Sequence, residues 1–324
     1  MSNTNDVFDV EATSLQQDTH KPIHRGIPAG PRNALVVLIG EFCGTFMFLL
    51  LSFIGAQTAI NNNDPKNTDP DAPLLPMSLL YIASAFGTAL AANVWIFYRV
   101  SGGMFNPAVT LALVLVGAMK PLRALMVIPT QLAAAIAAAG VVNGILPGPL
   151  RVGNALGAGT QPVQGVFLEM FLTAQLVLTI YFLAVEKHRA TFLAPIGVGV
   201  SVFIAHIAGT NYTGTSVNPV RSFGPAVIVG FPHYHWIYWI GPFLGTFLAF
   251  GVYSSMKFLD YSTANPGQDH DDIDRANKHM NAPVRAHATS LSSAHSRSTL
   301  VGSPSGRPRP GKDSHSSRDG VQGH

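Results

Sequence analysis

Six apolar runs, at residues 34–60, 74–98, 122–144, 163–185, 191–209 and 235–258, are each long enough to cross a bilayer, which takes roughly 20 helical residues. Two further runs, 107–119 and 219–230, reach only about half way. Each short run follows an Asn-Pro pair, Asn106-Pro107 or Asn218-Pro219. Asn before Pro reads as a helix start: Asn at the N-cap, and Pro at the first helical position, where its missing N–H costs nothing. The pattern predicts two half-helices that enter a membrane and turn back. Their approach loops, 101–105 and 210–217, are rich in Gly, Ser and Thr. Irregular backbone at membrane depth is tolerated only where it lines a cavity or is buried in protein.

Charge supports this reading. Only 11% of residues are charged, against about 25% in a soluble domain, and most of those charges sit at the two ends. A pI near 9.0 raises nucleic acid as a partner, but no basic stripe exists outside tails and short loops, so none is expected. The lone Cys43 excludes an internal disulfide and a cysteine metal cluster. With the N-terminus inside, Lys21, Arg25, Arg32, Arg99, Lys120, Arg123, Lys187, Arg189 and Lys257 all fall on the cytosolic side. The other side keeps Lys66 and Arg151, beside Asp64, Asp69 and Asp71. The positive-inside rule selects that topology, with both termini cytosolic.

Three regions follow. Residues 1–32 are a polar cytosolic tail without the charge and apolar pattern of a signal peptide. Residues 33–258 are the membrane domain. Residues 259–324, rich in Ser, His, Asp, Gly and Pro, cannot bury enough surface to fold and are expected to be a disordered cytosolic tail. Ser296, Ser298 and Ser303 there lie near Arg297 and Arg307 and are candidate phosphorylation sites.

The membrane domain reads as one unit used twice, over about 33–144 and 163–258. Glu41 and Glu169 lie in the first and fourth spans, each followed four residues later by Thr. An odd number of spans per unit turns the halves upside down relative to one another. Such repeats put the functional site at the midplane, between interrupted helices.

At that midplane each half-helix start presents orphan N–H groups and a partial positive charge. If Asn106 and Asn218 cap these helices through their amide oxygens, their NH2 groups are left to donate to a small neutral molecule such as water. A cation meets only donors and positive dipole ends. Arg221, three residues after Asn218, shares its face and points at the pore one turn outward; Val109 holds the matching inner place. His206 is expected at the height of Arg221. Glu41 and Glu169 are expected to brace the approach loops, with a proton relay as the alternative.

The segments Ser101-Gly102-Gly103-Met104-Phe105-Asn106-Pro107-Ala108 and Tyr212-Thr213-Gly214-Thr215-Ser216-Val217-Asn218-Pro219-Val220-Arg221-Ser222-Phe223-Gly224 resemble the two signatures of the aquaporin (major intrinsic protein) family, and the resemblance covers about 33–258. It implies an all-α membrane protein of six tilted helices plus two re-entrant half-helices, one pore per subunit and a homotetramer. It also implies an outer selectivity filter of Phe86, His206, Thr215 and Arg221. Ser222, Ala226 and the pair Tyr238-Trp239 resemble the water-selective members, whereas glycerol-conducting members typically carry Asp after the Arg. The polar tails look like those of fungal members, whose N-terminal segment can plug the inner mouth. Two departures stand out: Val220 where Ala is usual, and Thr215 where many animal members carry a mercurial-sensitive Cys.

The expected function is a passive, water-selective channel, most simply in the plasma membrane, needing no cofactor, metal or covalent chemistry. A facilitator of glycerol, hydrogen peroxide or another small neutral solute is the alternative. A proton-coupled alternating-access transporter and a non-conducting scaffold are the rivals from other classes. The sequon Asn211-Tyr212-Thr213 is placed in the loop dipping into the pore and is expected to carry no glycan.

Overall fold

A computed structural model describes residues 29–62 and 74–265. Most of both expected tails lies outside these residues, as do Lys66, Asp64, Asp69, Asp71 and the tail serines. The elements are α1 (Ala29–Asn61), α2 (Pro76–Phe97), α3 (Pro107–Leu115), α4 (Pro121–Ile145), α5 (Pro162–Ile180), α6 (Ala194–Thr213), α7 (Pro219–Val229) and α8 (Ile237–Phe258). A π turn, Tyr181–Val185, extends α5, and a 3-10 turn, Arg189–Leu193, leads into α6. Among the described residues there is no strand, and six helices are long and apolar enough to cross a membrane.

Proline starts most of them. A Pro occupies one of the first two positions of α2, α3, α4, α5, α6 and α7, where its fixed φ suits a helix and its missing N–H would have had no partner. The half-helices α3 and α7 have 9 and 11 residues. That is about 14 and 17 Å of rise, half a hydrocarbon core.

The packing repeats with the sequence. α1 lies against α2 and α4; α5 lies against α6 and α8. Each half-helix crosses over, α3 to α8 and α7 to α4, so neither half is closed without the other. α2 and α6 pack along the junction at backbone contact: a Cβ on Gly199 would lie 2.5 Å from the Gly87 carbonyl. Small residues at such crossings let helices approach where no hydrophobic force drives them together. The outward faces carry Leu35, Phe167, Phe171, Ile204 and Phe247, all exposed and suited to lipid.

Three boundaries differ from expectation. α1 begins at Ala29, inside the expected tail 1–32 and ahead of the expected start at 34. α3 stops at Leu115 rather than 119, because the chain turns at Gly117 with φ 74°. α6 runs on to Thr213, so the second approach loop is only 214–217 and the sequon lies in the last helical turn. Its end is held from outside. Gly157 N–H donates to Tyr212 O at 3.0 Å, and the Tyr238 hydroxyl donates to Thr213 O at 3.0 Å. Gly214, at φ 72°, then reverses the chain.

Candidate functional site: the paired half-helix starts and the ring above them

Each approach loop is gripped by a glutamate from its own half. Glu41 on α1 accepts the N–H of Met104 at 3.2 Å and of Phe105 at 3.0 Å. Glu169 on α5 accepts those of Ser216 at 2.8 Å and Val217 at 2.7 Å. The third donor differs: Gln131 Nε2 at 2.9 Å for Glu41, the Thr213 hydroxyl at 2.6 Å for Glu169. Both carboxylates are fully buried, so these donors stand in for the water they have lost.

The residues so held are bent hard. Phe105 has φ 51° and Val217 φ 46°, the left-handed region that bulky and β-branched residues avoid. This bend aims each carbonyl at the opposite half. Asn106 Nδ2 donates to Val217 O at 2.8 Å, and Asn218 Nδ2 to Phe105 O at 2.9 Å. The Asn oxygens cap the half-helices, accepting from Ala108 N–H at 2.8 Å and Val220 N–H at 3.1 Å. Sequence reasoning left the whole NH2 of each Asn for the permeant. One N–H of each is instead committed across the interface, because the buried Val217 and Phe105 carbonyls need a donor. The second N–H of each remains.

A cavity of about 380 Å³ passes these groups. It begins between Tyr98, Gly102, Ala118 and Lys187, and its wall is mainly apolar, with Val94, Val109, Leu113 and Ile180. Asn106 and Asn218 line it, as do Phe86, His206 and Arg221. Val109 and Arg221, each three residues after its Asn, both line it.

The side chains of Phe86, His206 and Arg221 lie close together. The Phe86 and His206 rings stack with centroids 4.0 Å apart. The Arg221 guanidinium carbon lies 4.9 Å from the Phe86 centroid and 5.7 Å from that of Phe53. Arg221 Nη1 donates to Val152 O at 2.7 Å and Nη2 to Gly214 O at 3.4 Å; its buried Nε finds no protein acceptor. The Thr210 hydroxyl donates to His206 O at 2.6 Å. The same hydroxyl oxygen lies 3.1 Å from His206 Nδ1. Thr215 is placed differently from its three companions. Its hydroxyl turns to Thr210 Oγ1 at 3.2 Å and Ala205 O at 3.3 Å, and it is absent from the cavity wall, as are Glu41 and Glu169.

Several residues of this site gave no signal in the sequence. Gln131 is a lone amide in an apolar span with no counterpart in the second half. Val152 contributes only a carbonyl. Asn154 and Gln57 matter through the outer loop, 146–161, which has no periodicity to read. The fully buried Val220 packs into the core with Val109, so the extra methyls over Ala are accommodated in a site that keeps the Asn218 cap.

The major intrinsic protein profile matches residues 32–253. An aquaporin-1 of Gibberella zeae is 70% identical over 248 residues, 76% of this chain and 77% of that one. An aquaporin-7 of Botryotinia fuckeliana is 51% identical over 259 residues, 79% of this chain and 57% of that longer one. The crystal structure of an aquaglyceroporin from Plasmodium falciparum, at 19% identity, superposes with TM-score 0.58 over 70% of this chain and 99% of that one, which speaks for the fold alone. The chain is a multi-pass membrane protein and belongs to the aquaporin (major intrinsic protein) family of channels.

Proposed function

We propose that this chain is a passive, water-selective channel driven by osmotic gradients. The observation that carries the reading is the cluster of Phe86, His206 and Arg221 on the cavity wall, with ring centroids 4.0 Å apart and the guanidinium 4.9 Å from Phe86. A constriction built from an aromatic, an imidazole and an arginine favours a molecule of water's size that can both accept and donate. The Arg221 guanidinium and the His206 imidazole are the polar groups that meet it there. A glycerol carbon chain would need the His206 ring to be smaller or displaced.

Below the ring, water passes the two remaining Asn N–H groups and accepts a hydrogen bond from each. A water that accepts from both sides has its oxygen turned to the Asn pair and cannot hand a proton along the file. The positive ends of α3 and α7 and the charge on Arg221 oppose cations. Glu41 and Glu169 act as braces, each carboxylate being spent on backbone N–H groups away from the cavity. Arg99, Lys120, Arg123, Lys187 and Lys257 collect at one end of the helices and Arg151 at the other, which supports cytosolic termini. We extend the reading to a homotetramer in the plasma membrane, with the pore inside each subunit.

The deciding experiment is stopped-flow light scattering on proteoliposomes, first with sucrose and then with glycerol as osmolyte. Fast shrinkage with a low activation energy, and no reswelling in glycerol, is the expected result. Reswelling in glycerol on the timescale of water flow overturns the selectivity.

A further inference from the structure

Arg221 lacks a carboxylate partner: among the described residues the only ion pair joins Lys257 and Glu186. Its one short bond is to the carbonyl of Val152, at 2.7 Å; the bond to Gly214 O, at 3.4 Å, is at the limit of reach. The place of the charge in the filter therefore depends on where Val152 O sits. Val152 belongs to the outer loop between α4 and α5, which has no regular structure of its own to hold it. Side chains hold it instead.

Upstream, Gln57 of α1 donates to Pro149 O at 3.2 Å and accepts from Arg151 N–H at 2.8 Å. Downstream, two residues past Val152, comes Asn154. It is 7% exposed and bonded on both amide atoms. Its Oδ1 accepts from the Ser222 hydroxyl at 2.8 Å, and its Nδ2 donates to Thr213 O at 3.2 Å. It also packs against Gly214, where a Cβ would come within 2.8 Å of the Asn154 Nδ2. One side chain thus ties the outer loop to the end of α6, to the loop residue that bears the second Arg221 acceptor, and to the residue after Arg221 itself. The Ser222 hydroxyl lies 2.6 Å from Ser216 Oγ, so the tie continues into the second approach loop.

We propose that Asn154 is a positioning residue for the selectivity filter, which sets the seat of Arg221 by locking the Val152 carbonyl to the start of α7. Asn154 does not touch the permeant; it acts through Val152 and Ser222. The two bonds of its amide need an acceptor and a donor fixed in one plane, which Asn provides and Asp or Leu of similar size does not. The inference rests on the water-filter reading above.

The test uses the full chain in proteoliposomes and reads the ratio of glycerol to water permeability. Asn154→Ala frees the Val152 carbonyl, and the ratio is expected to rise about fivefold or more, the effect of one net buried hydrogen bond. Ser222→Ala breaks the same tie from the other side and should raise the ratio in the same direction. The double variant should go no further than the larger single effect, since both remove one link. Tyr234→Phe is the control. It removes another anchor of the same loop, the Tyr234 hydroxyl that accepts from Leu156 N–H at 3.2 Å, without touching the neighbours of Arg221. It is expected to leave the ratio as in the parent chain. If the parent chain itself conducts glycerol freely, the water-filter reading fails. If the parent excludes glycerol and both Asn154→Ala and Ser222→Ala exclude it equally well, the positioning role fails and the reading stands. Equal increases in Tyr234→Phe and Asn154→Ala reduce Asn154 to one loop anchor among several, which also overturns the proposal. Should Asn154→Ala not fold, Ser222→Ala against Tyr234→Phe decides the matter.

Discussion

Phe105 and Val217 make the same two bonds in opposite halves of the molecule. Each gives its N–H to the glutamate of its own half, Glu41 at 3.0 Å or Glu169 at 2.7 Å. Each gives its carbonyl to the asparagine of the other half, Asn218 at 2.9 Å or Asn106 at 2.8 Å. Both hold positive φ, which costs of order 1–3 kcal/mol per residue and persists only where surrounding bonds over-determine it. The repeat is thus fastened at its centre by a crossed pair of bonds that neither half can make alone.

That crossing predicts matched losses. Asn218→Ala removes a helix cap, worth about 1 kcal/mol, and orphans the Phe105 carbonyl, worth about 1–3 kcal/mol. Asn106→Ala does the same to α3 and Val217. Both variants should lower the thermal unfolding midpoint in detergent by similar amounts and reduce water flux. A midpoint unchanged in either variant would mean that the crossed bonds contribute nothing to stability.

The Phe86–His206 stack predicts where selectivity can be relaxed. His206→Ala removes the ring that lies 4.0 Å from Phe86 and leaves Arg221 in place. Glycerol permeability in proteoliposomes should rise by about tenfold or more, because pore width and lining set what passes. Water flux should persist, since the Asn pair is untouched. Continued exclusion of glycerol would locate the barrier elsewhere.

Bracing and proton coupling by the buried glutamates part company in Glu169→Gln. A carboxylate accepts from Ser216, Val217 and Thr213 together; an amide turns an NH2 toward at least one of these donors. The loss is about 2–3 kcal/mol of stability, read as a lower unfolding midpoint and less folded protein. Water flux through the parent chain should be the same with and without a pH gradient. A flux that saturates and follows the gradient would favour a transporter.

How much of this could be read from the residues depends on their kind. The spans and half-helices announce themselves, because hydropathy, length and the Asn-Pro starts are local properties. Glu41 and Glu169 were readable because the repeat copies them. Arg221 was placed on the cavity face by helical spacing, and Phe86, His206 and Thr215 were grouped with it by the family resemblance. What stayed hidden depends on backbone atoms and on unpatterned chain. The Val152 carbonyl that seats Arg221 has no side-chain signature, and neither do the carbonyls that claim one N–H of each Asn. The continuation of α6 past Gly209, through Thr210 and Asn211 to Thr213, was hidden for a similar reason. These are loop-forming types, and the acceptor sites at that helix end are filled by Gly157 and Tyr238, distant in sequence.

Mercurials test the ring from the side of the thiol. Thr215 is fully buried and offers no sulfur, and Cys43, half-buried on α1, is absent from the cavity wall. Mercuric chloride should leave water flux unchanged in the parent chain and in Cys43→Ser alike. Strong inhibition that thiols reverse and Cys43→Ser abolishes would show instead that Cys43 controls the pore.

At the far end of the molecule, Glu186 links the turn after α5 to α8. It accepts from the Tyr253 hydroxyl at 2.5 Å and pairs with Lys257 Nζ at 2.9 Å. Burial pushes its carboxyl upward, but these two partners outweigh burial and hold it below its ordinary value. A carboxylate whose folded value is depressed adds stability above its unfolded value and loses it as the pH falls through the folded one. Lys257 is half-exposed, so the ion pair is screened and the Tyr253 bond carries most of the effect. Glu186→Gln keeps an acceptor for Tyr253 but has no charge to titrate. At neutral pH it should unfold at a lower temperature than the parent chain. Between about pH 5 and pH 3 the two midpoints should converge, as the parent loses what the variant never had. A gap that stays constant over that range would assign the stabilisation to shape rather than to charge.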